Sequence, residues 1–350
     1  MVNSNSFNSS LRNLWPLSNN RPRVWNPWKL MKDDLYWVLS HPYDVIVEFM
    51  YRNSIGSIRF EKVHNDEATC EINLLYWKNW ISIIQLAVWT LVTIPLVIFY
   101  PLLMLSAFEQ EKIRPPKEQT KDDEKWFFIN GVTVNEEWLD QNCKYLEERF
   151  GIGVTGILNR SYGIFWDFIE AVLERSFNFE TIPVHWATCN ILRELRNENV
   201  KVVRLIAHSQ GTIIAYLTVR KLFTELSYTK EQNYLNKLEV YTFANVCRDF
   251  INPNGLVGHI EHYVNKRDPV AMLGILNETA GNRIEGNVFI NETLNEGKGH
   301  LFNAFYSLNA EDYMSPEGAE CLLKDDNKIE QSIIGFKNLK FEYLSNRFPV

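Results

Sequence analysis

Val202-Val203-Arg204-Leu205-Ile206 is a short, largely β-branched run that leads directly into Ala207-His208-Ser209-Gln210-Gly211. Thr212 to Leu226 then carries helical spacing. A strand that turns into a helix through so few residues needs a very tight turn. The positions two before and two after its central serine must be small, and Ala207 and Gly211 meet that need. Such a turn holds the Ser209 hydroxyl above the sheet edge. It also aims the helix N-terminus at the same point, so the Gln210 backbone N–H is placed to hold an oxyanion. Small-x-Ser-x-Gly alone arises by chance. The strand before it and the helix after it give it meaning, against the plainer reading of a serine in an ordinary strand–helix turn.

The flanking sequence repeats the same alternation. Lys125 to Ile129 is a short apolar run ending at Asn130-Gly131, Val154 to Leu158 is another, and Val240–Phe243, Ile260–Val264 and Val288–Ile290 follow. Helical spacing occupies Glu136–Phe150, Phe165–Phe177 and Val184–Leu195. Strands alternating with helices predict an α/β fold, a mainly parallel sheet with helices on both faces.

A serine nucleophile needs a base that takes its proton and a carboxylate that orients the base. After Ser209 the histidines are His259, His262 and His300. The first two flank or lie in a predicted strand. His300 lies in Glu296-Gly297-Lys298-Gly299-His300, a glycine-bearing loop after the last strand, and is the candidate base. Asp268 follows the strand Ile260–Val264 and is the candidate acid, with Asp249, one strand earlier, as its competitor. Asp268 could instead be a turn or helix-cap residue before Pro269. A second oxyanion donor is expected in the loop after the first strand. Gly131 there permits close backbone approach, the Val132 N–H is the candidate donor, and Asn130 orients the loop or contacts substrate. His208, beside the serine, is a candidate substrate contact. Serine, imidazole and carboxylate supply nucleophile and base unaided, so neither metal nor cofactor is implied.

From Ile81 to Phe108 the chain has no Asp, Glu, Lys, Arg or His. About 20 apolar helical residues cross a bilayer, so this run predicts a transmembrane or membrane-embedded helix, with Pro95 and Pro101 as kinks. A hairpin bent at the prolines, or a buried core helix, are the alternatives. Lys112, Arg114, Lys117, Lys121 and Lys125 follow the run, which places the C-terminal part in the cytosol by the positive-inside rule, with the endoplasmic reticulum as the default organelle. The five scattered cysteines fit a reducing compartment better than a disulfide framework. A net charge of -7 gives no reason to expect nucleic acid as a partner. Seven of the eleven tryptophans lie before residue 90. The expected organisation is therefore an aromatic-rich, partly disordered or membrane-surface region (1–80), the membrane helix (81–108) and a charged linker (109–125). An α/β domain (126–315) and a C-terminal extension (316–350) complete it.

Six ordered pieces carry a resemblance. They are Phe128-Ile129-Asn130-Gly131 with Trp138; Leu158-Asn159-Arg160-Ser161-Tyr162-Gly163 with Asp167 and Glu170; and Ala207-His208-Ser209-Gln210-Gly211. Leu238 to Asn245, His262-Tyr263-Val264-Asn265 with Asp268, and Gly299-His300-Leu301-Phe302-Asn303 with Tyr306 complete the set. Together they resemble a fungal family of lipase-like α/β hydrolases within the serine-esterase/lipase group. The resemblance implies a Ser209–His300–Asp268 triad and action on a lipid or other acyl ester. The expectation is a membrane-attached carboxylic-ester hydrolase acting on a membrane lipid or acyl ester. A thioesterase or protein-deacylating enzyme is one alternative, and a catalytically silent membrane scaffold on the same fold is the other.

Overall fold

A computed structural model describes residues 26–41, 71, 76–93, 113–116, 122–277, 283–292, 299–314 and 321–323. The helices are α1 (Pro27–Ser40), α2 (Trp77–Thr93), α3 (Glu136–Phe150), α4 (Ile164–Phe177), α5 (Ile182–Arg196), α6 (Gln210–Tyr228), α7 (Pro269–Leu273) and α8 (Phe302–Phe305). The strands are β1 (Ile113–Arg114), β2 (Glu124–Ile129), β3 (Val154–Ile157), β4 (Val202–His208), β5 (Leu238–Phe243), β6 (Asp249–Phe250), β7 (His259–Asn265), β8 (Arg283–Ile284) and β9 (Asn287–Asn291). Seven of them form one sheet in the order β1-β3-β2-β4-β5-β7-β9. Every pairing in it is parallel except the edge pair β1–β3. The α/β architecture expected from the alternating apolar runs is present.

Alternate strand residues feed two cores. Phe127, Ile129, Val203, Leu205 and Ala207 pack on one face with α5 and α6. Trp126, Phe128 and Ile206 point to the other, where α3 and Phe302 of α8 cover them. A strand buried on both faces reads as a continuous apolar run, which is why β2 and β4 stand out in the sequence. Local signals set the helix ends. The Asn135 side chain accepts the Trp138 N–H at the start of α3, and Gly151 closes that helix at φ 65°.

The order of the strands decides where a ligand can enter. After β2 the chain moves outward to β3, then returns to β4 on the other side of β2. The connection leaving β2 is α3 on one face, and that leaving β4 is α6 on the other. Their divergence marks the C-terminal ends of β2 and β4 as the switch point at which open parallel sheets form a ligand crevice.

Several of the sequence-based boundaries shift. Parts of the 1–80 region are built into the domain. Asp34 of α1 is buried against the guanidiniums of Arg175 and Arg248, and Glu71 accepts the backbone N–H groups of Asn303 (3.2 Å) and Ala304 (3.1 Å). The expected linker, 109–125, supplies β1, and its Arg114 bridges Asp140 and Glu147 of α3. Of the expected membrane helix, 81–93 belongs to α2 and 94–108 lies outside the described residues. Among the described residues no helix is long and apolar enough to cross a membrane. Of the C-terminal extension only 321–323 is described, and there Leu322 N–H donates to Glu261 at 3.1 Å.

Candidate active site

Ser209 stands at the end of β4 with φ 55° and ψ -127°. A non-glycine residue at such positive φ is uncommon and costs on the order of 1–3 kcal/mol, so the surroundings must hold it there. Its N–H donates to Phe243 O at 3.0 Å, and its carbonyl accepts the Thr212 N–H at 2.9 Å and the Thr212 hydroxyl at 2.7 Å. The small flanking residues are required sterically. A Cβ on Gly211 would lie 2.5 Å from Ile129 O and 2.7 Å from Asn130 O, because β2 passes directly behind the turn.

His300 meets the serine from the far side of the sheet edge. Its Nε2 lies 2.9 Å from Ser209 Oγ, and its Nδ1 lies 2.8 Å from Asp268 Oδ2. Serine, imidazole and carboxylate are all buried, Asp268 completely. The geometry assigns the tautomer: Nδ1–H donates to Asp268, leaving Nε2 to accept the serine proton. Asp268 is fixed at both oxygens. Oδ1 accepts the Val270 N–H at 2.8 Å, capping α7, while Oδ2 also accepts the Tyr306 hydroxyl at 2.6 Å. The residue that caps α7 is thus the same one that is hydrogen-bonded to His300. Burial first, and then the Asp268 charge, push the Tyr306 phenol well above its usual range, so it stays a donor.

The competitor Asp249 is hydrogen-bonded to Arg283. Its Oδ1 accepts the Arg283 N–H at 3.2 Å in the small β6–β8 sheet, away from His300. His259 pairs with Glu261 at 2.6 Å, and His262 is buried against Thr242 (2.6 Å). Burial lowers the His262 pKa to about 4, so the ring is a neutral structural group.

His208, expected as a substrate contact, lies beside His300. It is buried, and its ring lies 4.8 Å from that of His300 among Phe302 and Tyr306. Burial, followed by repulsion from His300, holds its pKa well below 6.5, so a neutral Nε2–H donates to the His300 carbonyl at 2.8 Å. His208 thus positions the loop that carries His300. Asn265 Nδ2 does the same by donating to Gly299 O at 3.1 Å and Phe305 O at 3.1 Å.

On the opposite side of Ser209 a buried polar chain ties together the two segments expected to bind an oxyanion. Asn130 Nδ2 donates to Gly131 O (2.9 Å) and Asn159 O (2.7 Å), and its Oδ1 accepts the Asn159 N–H (2.8 Å). Asn159 Nδ2 donates to Gln210 Oε1 at 2.8 Å, and Gln210 Nε2 donates to Glu174 Oε2 at 2.9 Å. Thr181 donates to the other Glu174 oxygen at 2.7 Å. Burial raises the Glu174 pKa to about 7, opposed by those two hydrogen bonds. Asn130 is therefore a loop-positioning residue. Gln210 opens α6, where the N–H has no intrahelical acceptor, and Val132 follows Gly131 in the turn after β2.

Gly131 brings the backbone after β2 close to the serine side chain. A Cβ there would sit 2.6 Å from Ser209 Cβ and 3.1 Å from its Oγ. Gly131→Ala is expected to push the hydroxyl off His300 and lower turnover by about 100-fold or more, in line with the penalty for small misplacements of reacting groups. Its melting temperature in the same preparation separates this local effect from unfolding.

Sequence reasoning did not assign roles to Tyr306, Glu174 or Glu71. The Tyr306 position was visible as part of the last motif, but its bond to Asp268 joins residues far apart in the chain. The residues together can activate a hydroxyl nucleophile, shuttle its proton and present backbone N–H groups to a developing negative charge. Comparison of the chain with protein-family models, with curated proteins and with solved structures gives no match.

Proposed function

We propose that this chain is a serine carboxylic-ester hydrolase of the α/β-hydrolase type, acting on lipid-derived acyl esters at a membrane. The hydrogen-bonded series Ser209–His300–Asp268, set at the crevice between β2 and β4, carries the reading. In the first half-reaction Ser209 Oγ attacks the acyl carbon while His300 Nε2 takes its proton. The oxyanion rests on the Gln210 N–H and, from the other side, the Val132 N–H. Collapse expels the alcohol, which takes the proton from His300, and leaves the acyl group on Ser209. Water then attacks the acyl-enzyme with the same proton transfers, releasing the acid. The Asp268 carboxylate holds the imidazolium that forms in each half by its hydrogen bond to Nδ1.

An acyl-enzyme predicts its own kinetic signature. With p-nitrophenyl esters of graded chain length, the detergent-solubilised full chain is expected to release a burst of about one equivalent of p-nitrophenol before steady state. Matched acyl thioesters in the same panel separate ester from thioester preference. Hydrolysis no faster than buffer across the panel would leave a silent scaffold and overturn the proposal.

A further inference from the structure

Helix α2 is amphipathic in the reverse sense to a surface helix. Its inward row is polar. Asn79 is buried and accepts from Trp138 Nε1 (3.0 Å) and Gln141 Nε2 (3.1 Å), and the buried Ser82 hydroxyl accepts from Asn135 Nδ2 (2.8 Å). Lys78 pairs with Glu137, and the Thr90 hydroxyl accepts the Ile164 N–H at 3.2 Å. The outward row is apolar: Ile81, Ile84, Val88, Leu91 and Val92 are exposed, Leu91 by 71%. From Trp80 to Val92 the sole polar residue classed as exposed is Gln85, itself bonded to Asn135 at 2.9 Å. A helix that faces water puts its apolar stripe inward. This one spends its polar groups on the protein and turns its apolar side out along its whole length.

The apolar surface continues onto neighbouring helices. α1 packs on α4, with Trp28 edge-on to Phe177 at 5.2 Å, and α2 packs on the start of α4, where Thr90 meets Gly163. Trp28, Leu35 and Leu39 form an exposed row on α1, and Ile164 and Phe168 are exposed on α4. Lys32 lies in the same α1 row, four residues after Trp28. A lysine stem can rest on an apolar layer while its head reaches anionic headgroups, and tryptophan favours the depth at which the two meet. The charge-free sequence that forms the exposed side of α2 runs on to Phe108, beyond the described residues. Both α3 and α4, on which α2 sits, begin at the C-terminal ends of sheet strands. The face therefore shares the catalytic edge of the sheet.

We propose that the outward sides of α1, α2 and the first turns of α4 form a docking face for a lipid bilayer, with α2 lying in the membrane surface rather than across it. The occupant is lipid because no charged residue is exposed on the outward side of α2 and because the adjoining sequence stays uncharged. Docking there brings the crevice between β2 and β4 to the bilayer, where long-chain acyl esters reside. The proposal deepens the lipid-ester reading, yet the docking itself does not require Ser209 to react.

The test is flotation of the full chain, diluted from detergent, with phosphatidylcholine vesicles with and without phosphatidylserine. Replacing Ile84, Val88 and Leu91 together by serine is expected to lower the vesicle-bound to free ratio at least tenfold, with an unchanged melting temperature because all three side chains are exposed. Ser209→Ala is expected to float like the parent chain, so loss of catalysis and loss of docking are read separately. In brominated-lipid vesicles, tryptophan quenching is expected to drop in the Trp77→Phe, Trp80→Phe variant. This second measurement stands even if the triple variant fails to fold. Equal flotation of the folded triple variant, or unchanged quenching in the Phe variant, would overturn the proposal. So would self-association through this face without vesicle binding, which would make the occupant a second copy.

Discussion

Ser209→Ala is expected to reduce ester turnover by about 10⁴-fold or more, which corresponds to about 5.5 kcal/mol of lost transition-state stabilisation. The size follows from what the hydroxyl does. In the proposed mechanism it supplies the attacking oxygen and the proton that His300 receives 2.9 Å away. The backbone donors at Gln210 and Val132 remain, so a small residual rate above water is expected. Stability is expected to move little, since alanine keeps the Cβ and the positive φ. Ser209→Gly separates the two properties further. It abolishes the chemistry equally but removes the steric penalty at φ 55°, and it is expected to stabilise the fold by about 1 kcal/mol. Turnover and thermal melts of the three proteins together check both parts.

Asp268→Asn is the second large effect. The carboxylate accepts from His300 Nδ1–H, from Tyr306 and from the Val270 N–H. An amide in its place can still accept the cap bond, but an NH₂ group turned toward His300 forces Nδ1 to accept. The imidazole then carries its proton on Nε2, facing Ser209, and cannot take the serine's proton. A loss of about 10⁴-fold in kcat is expected from that tautomer change alone. The Asp249→Asn variant loses a buried carboxylate that pairs with Arg283, outside the Ser209–His300–Asp268 series, and turnover per folded molecule within about threefold of the parent is expected. Equal damage from both substitutions would mean that the effect runs through folding. Loss with Asp249→Asn alone would reassign the acid.

The central strands were legible because burial on both faces favours apolar residues, although β7 also buries Glu261, His262 and Asn265. β2, β4, β5 and β7 read as apolar runs, each extending one or two residues further in the structure than in the sequence pattern. Strand β1 left no such mark. It is a two-residue edge pair that contains Arg114, held by Asp140 and Glu147 rather than by apolar burial. The juxtaposition of Ser209, His300 and Asp268 was legible because the turn around Ser209 demands small flanks and because few histidines and aspartates follow it. Their supports were not. Tyr306 to Asp268, Glu174 to Gln210 and Glu71 to Asn303 are contacts between distant segments, and no local spacing encodes them.

The hydrophobic run carries a second local signal. Asn79, Ser82 and Thr90 recur on one side of a helix, with Leu86 between them. That row marks a helix with a protein-facing polar side, and the structure packs it so. In the docking proposal its outward apolar residues face lipid.

The account rests on Ser209 being a nucleophile activated in the folded chain. The direct measurement is reaction of the full-length protein with a fluorophosphonate, followed by tandem mass spectrometry of the adduct. A single adduct on Ser209, lost on heat denaturation and absent from His300→Ala, is the predicted result. An intact protein that forms no adduct, or one that carries the label on another residue and keeps it in Ser209→Ala, would contradict it.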